Sequence, residues 1–230
     1  MVTNTEVVKD YERWFLSPVG MYVDEKEKDL LINSMRFKRG ERVLEIGCGT
    51  GRYVEYLTEL ELDVVGVEPV QEMARKAIQK SVIKKEQIII GPYEKIPVGD
   101  NSFENVIFMH SFAFSLDKVK VIKEAYRIAS KKIGIGFLNK HSLTSIFKVK
   151  ERKEVYKDAM PLCDKEIRNI IEIALGDKKE EFVIDINYTL YLPINIAHFF
   201  SFVDDFLEKT KLPFGDFGMI VIKKNEKGVL

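Results

Sequence analysis

From residue 42 onward the chain alternates two hydrophobic rhythms. Short runs rich in β-branched and apolar residues cover 42–46, 63–68, 87–90, 105–109 and 132–138. Between them lie stretches in which apolar residues return every three to four positions, at 51–60, 70–80 and 117–130. Near-continuous apolar runs suit strands buried on both faces, and the 3.6-residue period suits helices laid over them. The alternation therefore predicts βαβ units on a parallel sheet. After residue 180 the pattern changes to two longer strand-like runs, 182–191 and 218–223, with a helical pattern at 194–207 between them. No internal repeat or low-complexity linker divides the chain.

The break after the first strand carries the most chemistry. Val43-Leu44-Glu45-Ile46 runs into Gly47-Cys48-Gly49-Thr50-Gly51, three glycines at alternate positions with an acid two residues before the first. Glycine takes φ > 0 freely and lets a ligand touch the backbone. A helix starting just beyond offers free N–H groups to a polar or anionic ligand. The string thus predicts a strand–turn–helix nucleotide site. The dinucleotide pattern G-x-G-x-x-G would need a glycine where Arg52 stands, and a P-loop would need Gly-Lys-Ser/Thr. Glu68 closes the second strand seventeen residues after Gly51. A carboxylate there suits the vicinal hydroxyls of a ribose, because it accepts two hydrogen bonds at once.

Glu45-x-Gly47-x-Gly49-x-Gly51 resembles the first motif of the class I S-adenosylmethionine-dependent methyltransferases. The stretch Ile96-Pro97…Asp100-Asn101-Ser102-Phe103-Glu104 resembles the segment before their fourth strand. Tyr11-Glu12-Arg13-Trp14-Phe15, Gly20-Met21-Tyr22 and the 137–143 segment resemble a small-molecule subgroup that includes the ubiquinone/menaquinone-biosynthesis enzymes. The resemblance implies an α/β fold, a doubly wound, seven-stranded, mostly parallel Rossmann-like sheet with helical lid additions. It implies one domain: an N-terminal helical lid (1–40), a cofactor core (41–138), an acceptor-side insertion (139–180) and C-terminal antiparallel edge strands (181–230). Cofactor contacts are expected from Glu45, Gly47, Cys48, Gly49, Gly51, Glu68, Pro69, Tyr93, Glu94, Met109 and His110. The chain departs from the family at the adenine end, where Pro92 stands in place of the usual acid and Tyr93 in place of a small residue. Adenine recognition is then expected from the Tyr93 backbone N–H, its ring and Glu94.

Methyl transfer from a sulfonium is an in-line displacement with a neutral leaving group, so the protein mainly positions the acceptor and excludes water. A base matters where the acceptor must lose a proton. His110 follows the fourth strand and His141 the fifth, both at the carboxyl edge where doubly wound sheets bind ligands. These are the candidate catalytic residues, while His198 reads as a partly buried helix residue. Tyr11, Trp14, Phe15, Tyr22, Phe112 and Tyr156 are the candidate acceptor-lining aromatics, with plain core packing as the competing assignment. Met109-His110-Ser111-Phe112 lacks the Asn/Asp-Pro-Pro-aromatic string of adenine-amino enzymes, and no Pro-Cys pair supplies a cytosine-C5 nucleophile.

Composition narrows the partners. Thirty-six basic residues balance thirty-six acidic ones, which argues against a broad nucleic-acid-binding face. Two cysteines and three histidines form no metal-ligand spacing. The start of the chain has no signal-peptide pattern, and no apolar run reaches membrane-span length. The sequence therefore predicts a cytoplasmic S-adenosylmethionine-dependent methyltransferase, releasing S-adenosylhomocysteine, with no metal. Its acceptor is expected to be a small molecule, with no DNA partner and no membrane insertion, as a monomer or homodimer. The alternatives are a cofactor-binding module without catalysis, a protein or RNA methyltransferase, and a nicotinamide-binding oxidoreductase.

Overall fold

A computed structural model of the chain describes residues 12–142, 145, 161–193, 201–210 and 212–225. Among them, seven strands form one sheet: β1 (Arg42–Ile46), β2 (Asp63–Glu68), β3 (Ile88–Ile90), β4 (Phe103–Met109), β5 (Ala129–Leu138), β6 (Phe182–Thr189) and β7 (Phe217–Lys224). Their order is β3-β2-β1-β4-β5-β7-β6. The first five pair in parallel, and β7 lies between β5 and β6, antiparallel to both. The sheet is thus the doubly wound, mostly parallel one expected, and β6 is its outer edge.

β5 begins at Ala129, three residues before the apolar run suggests, because Ala129 pairs with Phe103 across a register shift. The strand absorbs the polar Ser130-Lys131 and leaves the helix before it ending at Ile128.

Both faces of the sheet are covered, which explains the continuous apolar runs. Alternation along β1 sends Leu44 and Ile46 to one face and Val43 to the other. The Leu44 face packs under α4 (Lys118–Ile128) and α5 (Asp164–Leu175) through Val121, Ile122, Ala125, Ile167 and Ile171. The Val43 face packs under α1 (Pro18–Met35), α2 (Arg52–Glu59) and α3 (Gln71–Ile78) through Leu31, Met35, Val54, Leu57, Ala74 and Ala77. Each fully buried valine, leucine, isoleucine or methionine among them contributes roughly 1.5–3 kcal/mol of burial free energy.

α1 is well specified at both ends. Ser17 caps it by accepting from the Gly20 N–H at 3.1 Å, Pro18 opens the first turn, and Arg36 closes it in the left-handed conformation at φ 47°. A sixth helix, α6 (Ser201–Glu208), is tied to α1 by three side-chain pairs. Tyr22 donates to Asp204 at 2.8 Å, and Lys26 bridges Asp205 and Glu208 at 2.5 and 3.1 Å.

The order reverses between β1 and β4, the switch point at which open α/β sheets bind ligands beyond the strands' carboxyl ends. The glycine loop leaves β1 on one side of that point, and His110-Ser111 leaves β4 on the other.

Candidate functional site

The glycine loop is pinned to the sheet by its own backbone. Gly47 and Cys48 N–H both donate to the Val67 carbonyl, at 2.7 and 3.0 Å, and Gly51 N–H closes the turn on Cys48 at 2.9 Å. All three glycines have positive φ, +78°, +56° and +77°. They meet different demands. A Cβ on Gly47 would lie 2.2 Å from the Ser111 Cβ and 2.7 Å from the Tyr93 hydroxyl, and one on Gly51 would lie 2.7 Å from Ile83. Those two are glycine because protein packs against them. A Cβ on Gly49 would have nothing within 4 Å. Gly49 is therefore the glycine whose bare backbone faces open space and can meet a ligand.

Glu68 fixes that backbone. Its two carboxylate oxygens accept from Gly49 N–H and from Val70 N–H, each at 2.9 Å. Burial raises its carboxyl pKa and these two hydrogen bonds oppose the rise. Each oxygen has a second lone pair, so the carboxylate can hold the loop and still accept from a diol. Pro69 follows, half-buried at the mouth of the same turn.

Glu45 points from β1 beneath α2 and is 1% exposed. One oxygen accepts a backbone hydrogen bond from Val54, while Oε2 has no hydrogen-bond partner. Burial pushes its carboxyl up to about 8, partly offset by the Arg52 charge and reinforced by Glu68. Cys48, inside the loop, is packed against Gly66, and burial and the two acids push its thiol up.

The Tyr93 side chain does not lie open for stacking as expected. It is mostly buried, packs against the Leu44-side core and brings its hydroxyl to Gly47 and Ser111. Burial, then Glu68, Cys48 and Glu45, raise the phenol far above its ordinary range, so it stays a neutral donor. Ser111 donates in turn to the Ile46 carbonyl, stitching the ends of β1 and β4 together. Pro92 is exposed and Glu94 half-buried on the same rim.

His110 leaves β4 in the left-handed conformation at φ +66°, an uncommon state for a non-glycine residue that recurs at functional sites. Its ring is buried, with Nε2 2.8 Å from Oε2 of Glu27 on α1 and its centroid 4.7 Å from that of the Phe217 ring. Glu27 is fully buried and also accepts from the Tyr53 hydroxyl at 3.1 Å, with Arg52 at 3.8 Å. Arg52 in turn pairs with Asp24 at 2.7 Å and lies 3.5 Å over the Phe15 ring. One buried polar network thus joins α1, the start of α2 and the loop after β4. The sequence reading missed Glu27, Tyr53 and Ser111. Glu27 had a signal: it falls on the apolar stripe Val23, Leu30, Leu31, where a lone acid must find buried partners.

The expected acceptor-lining residues have divided positions. Trp14 and Phe15 pack edge to face at 4.7 Å beside Arg52, and Tyr22 is bonded to Asp204. Phe112 is fully buried against Phe108 in the core, 5.7 Å between rings, while Met109, expected as a cofactor contact, ends β4 and is 4% exposed. His141 is exposed at the end of β5, its N–H held by Asn139 at 3.0 Å. Tyr11, Tyr156 and His198 lie outside the described residues. A groove of about 1220 Å³ opens at the opposite, amino edge of the sheet, between Asn101, Tyr126, Ala174 and Lys224. It is remote from the glycine loop and shares none of its residues. Among the described residues no cluster of His, Cys, Asp or Glu could hold a metal ion, and no helix is long and apolar enough to cross a membrane.

The sheet order, the glycine loop and the Glu68 turn match what the resemblance to class I S-adenosylmethionine-dependent methyltransferases implies. Residues 44–133 match the family profile described as Methyltransferase domain, a span running from β1 into β5. Over 87 residues the chain is 33% identical to an uncharacterized methyltransferase of Mycobacterium bovis, covering 38% of this chain and 35% of that protein. Over 113 residues it is 26% identical to the ubiquinone/menaquinone biosynthesis C-methyltransferase of Geotalea uraniireducens, covering 46% and 48%. The chain thus spans about a third to a half of the length of these curated relatives. A solved S-adenosylmethionine-dependent methyltransferase of Thermotoga maritima, described as a possible histamine N-methyltransferase, is 25% identical with a TM-score of 0.70, covering 96% of this chain and 97% of its own. The plantazolicin methyltransferase BpumL, solved with a desmethylPZN analog and SAH, shares the fold at a TM-score of 0.65 and 17% identity, covering 96% of this chain and 90% of its own. These matches identify residues 44–133 as a methyltransferase domain, and the whole chain shares the fold of a solved S-adenosylmethionine-dependent methyltransferase.

Proposed function

We propose that the protein transfers the methyl group of S-adenosylmethionine directly to a small-molecule acceptor. The observation that carries the cofactor assignment is the open backbone at Gly49, held in place by the buried Glu68 carboxylate. The residues fit the group: Gly49 leaves room for its amino-acid arm, Glu68 suits its ribose hydroxyls, and Glu45 supplies a buried acid beneath the loop. When bound, the cofactor supplies an activated methyl on a positively charged sulfur.

The chain's part is to bind, orient and exclude water. α1 closes over the carboxyl edge through the Glu27–His110 contact, and Trp14 and Phe15 lie beside it, bringing aromatic surface near a cationic ligand. His110, fixed by Glu27, is the group best placed to receive a proton from an acceptor at the switch point. Balanced charge favours a small acceptor over a nucleic acid. Two free, buried cysteines fit a reducing, cytoplasmic setting.

Titration calorimetry of the purified protein with S-adenosylmethionine and S-adenosylhomocysteine tests the cofactor assignment, and saturable binding of both is expected. Incubation with metabolite extracts and labelled cofactor should then give one product heavier by a single methyl. Absence of binding removes the proposal.

A further inference from the structure

Around the glycine loop, buried acids outnumber the cations that face them. Glu27, Glu45 and Glu68 are at most 4% exposed. The groups facing Glu45 are Arg52 from α2, Glu68 from β2, Cys48 in the loop, Tyr93 from the turn after β3 and Lys80 after α3. Of the two cations, Arg52 is 2.7 Å from Asp24 and Lys80 is paired with Glu55. Tyr93 is neutral, and Cys48 has no access to a thiolate in that setting. Glu45 is left with one oxygen held by the Val54 backbone and the other, Oε2, without a hydrogen-bond donor. A buried carboxylate so placed has only the Arg52 and Lys80 charges, already shared with Asp24 and Glu55, to offset its burial.

We propose that Glu45 is a proton-linked receptor for the positive charge of the cofactor: its carboxyl is protonated in the ligand-free protein and gives that proton to solvent as a cationic centre of the ligand docks on the glycine loop. The proposal rests on the cofactor reading above and deepens it. The direction agrees with burial, which pushes this carboxyl up to about 8 when no ligand is near. An incoming cation lowers it again, so binding releases a proton and tightens as pH rises. The ligand carries two candidate cations, the ammonium and the sulfonium. S-adenosylhomocysteine keeps only the ammonium.

The test is calorimetry of the intact chain at pH 7 in phosphate and in Tris, buffers of different ionisation enthalpy. With S-adenosylmethionine the two heats should differ by the release of about one proton per ligand. The Kd should fall about tenfold between pH 6 and 7 and level off above pH 8. Glu45→Gln should bind more weakly, with equal heats in both buffers and a flat pH profile. Release with S-adenosylhomocysteine as well assigns the effect to the ammonium; release with S-adenosylmethionine alone assigns it to the sulfonium. Tight binding to the wild type with buffer-independent heat and no pH dependence overturns the linkage while leaving the cofactor assignment intact. Release that persists unchanged in a folded Glu45→Gln protein overturns it too. A wild type that binds neither ligand refutes the cofactor reading itself. If Glu45→Gln does not fold, the wild-type heats and pH profile decide.

Discussion

At the scale of single residues, three glycines that look equivalent in the sequence are not equivalent in space. Gly49→Val puts a β-branched side chain at φ +56° into the space beside the Glu68-held backbone. It should abolish S-adenosylmethionine binding while leaving the sheet intact, read by calorimetry and circular dichroism. Gly47→Ala collides with Ser111 and Tyr93, so it should lower thermal stability as well as binding. A Gly47→Ala stability loss no larger than that of Gly49→Ala, which carries left-handed strain without the collision, would contradict this division of roles. Glu68→Ala should weaken S-adenosylmethionine binding by roughly 1–3 kcal/mol, since it strands ribose hydroxyls and frees the Gly49 and Val70 N–H groups together. Wild-type affinity in that variant would remove the ribose assignment. These residues were legible in the sequence because spacing alone brings a loop after β1 and an acid after β2 to adjacent strand ends. Tyr93 was legible as a departure from the family, but its hydroxyl's place against Gly47 was not, because that depends on how the turn after β3 folds back over the loop.

At the scale of elements, the device that matters is the seam between α1 and the carboxyl edge. Its centre is Glu27, with His110, Tyr53 and Arg52 as partners from two other elements. Removing one member of a buried polar cluster leaves the others desolvated and uncompensated. Glu27→Ala should therefore destabilise the protein by about 3–5 kcal/mol, whereas Tyr53→Phe, which removes one hydroxyl, should lose only about 1 kcal/mol. Urea denaturation of these two variants, of His110→Ala and of Glu27→Ala/His110→Ala completes the cycle and measures the Glu27–His110 coupling. Additive losses would mean that the Glu27–His110 contact carries no energy. The seam was only half legible: the histidine stood out by its place after β4, but its partner lies 83 residues earlier on a helix that no local pattern joins to the site. The acid on the apolar stripe of α1 was the one available hint.

For the whole molecule, the alternation of strands and helices specified the topology, because each buried parallel strand demands an apolar run and each covering helix an apolar stripe. What lay beyond local pattern was the insertion of β7 between β5 and β6 and the charge balance of the assembled carboxyl edge. That balance has a consequence for stability without ligand. Glu45 has an ordinary carboxyl value of 4.5 in the unfolded chain and about 8 in the folded one. An acid raised by folding holds its proton longer in the native state, so the native protein binds more protons than the unfolded chain between those values. Stability therefore falls as pH rises from about 4.5 to about 8 and levels off above, by an amount of order 3–5 kcal/mol from this group. Glu41 and Glu124, held low by Lys131 and Arg127, act in the opposite sense, and their contribution is lost as pH falls below the usual carboxylate range. Glu45→Gln keeps the shape without the charge. Its ligand-free stability relative to wild type should grow from pH 5 to pH 8 in urea melts. A difference that stays constant across that range would mean Glu45 is ionised in the folded, ligand-free protein, and the charge surplus at the glycine loop would have to be balanced some other way.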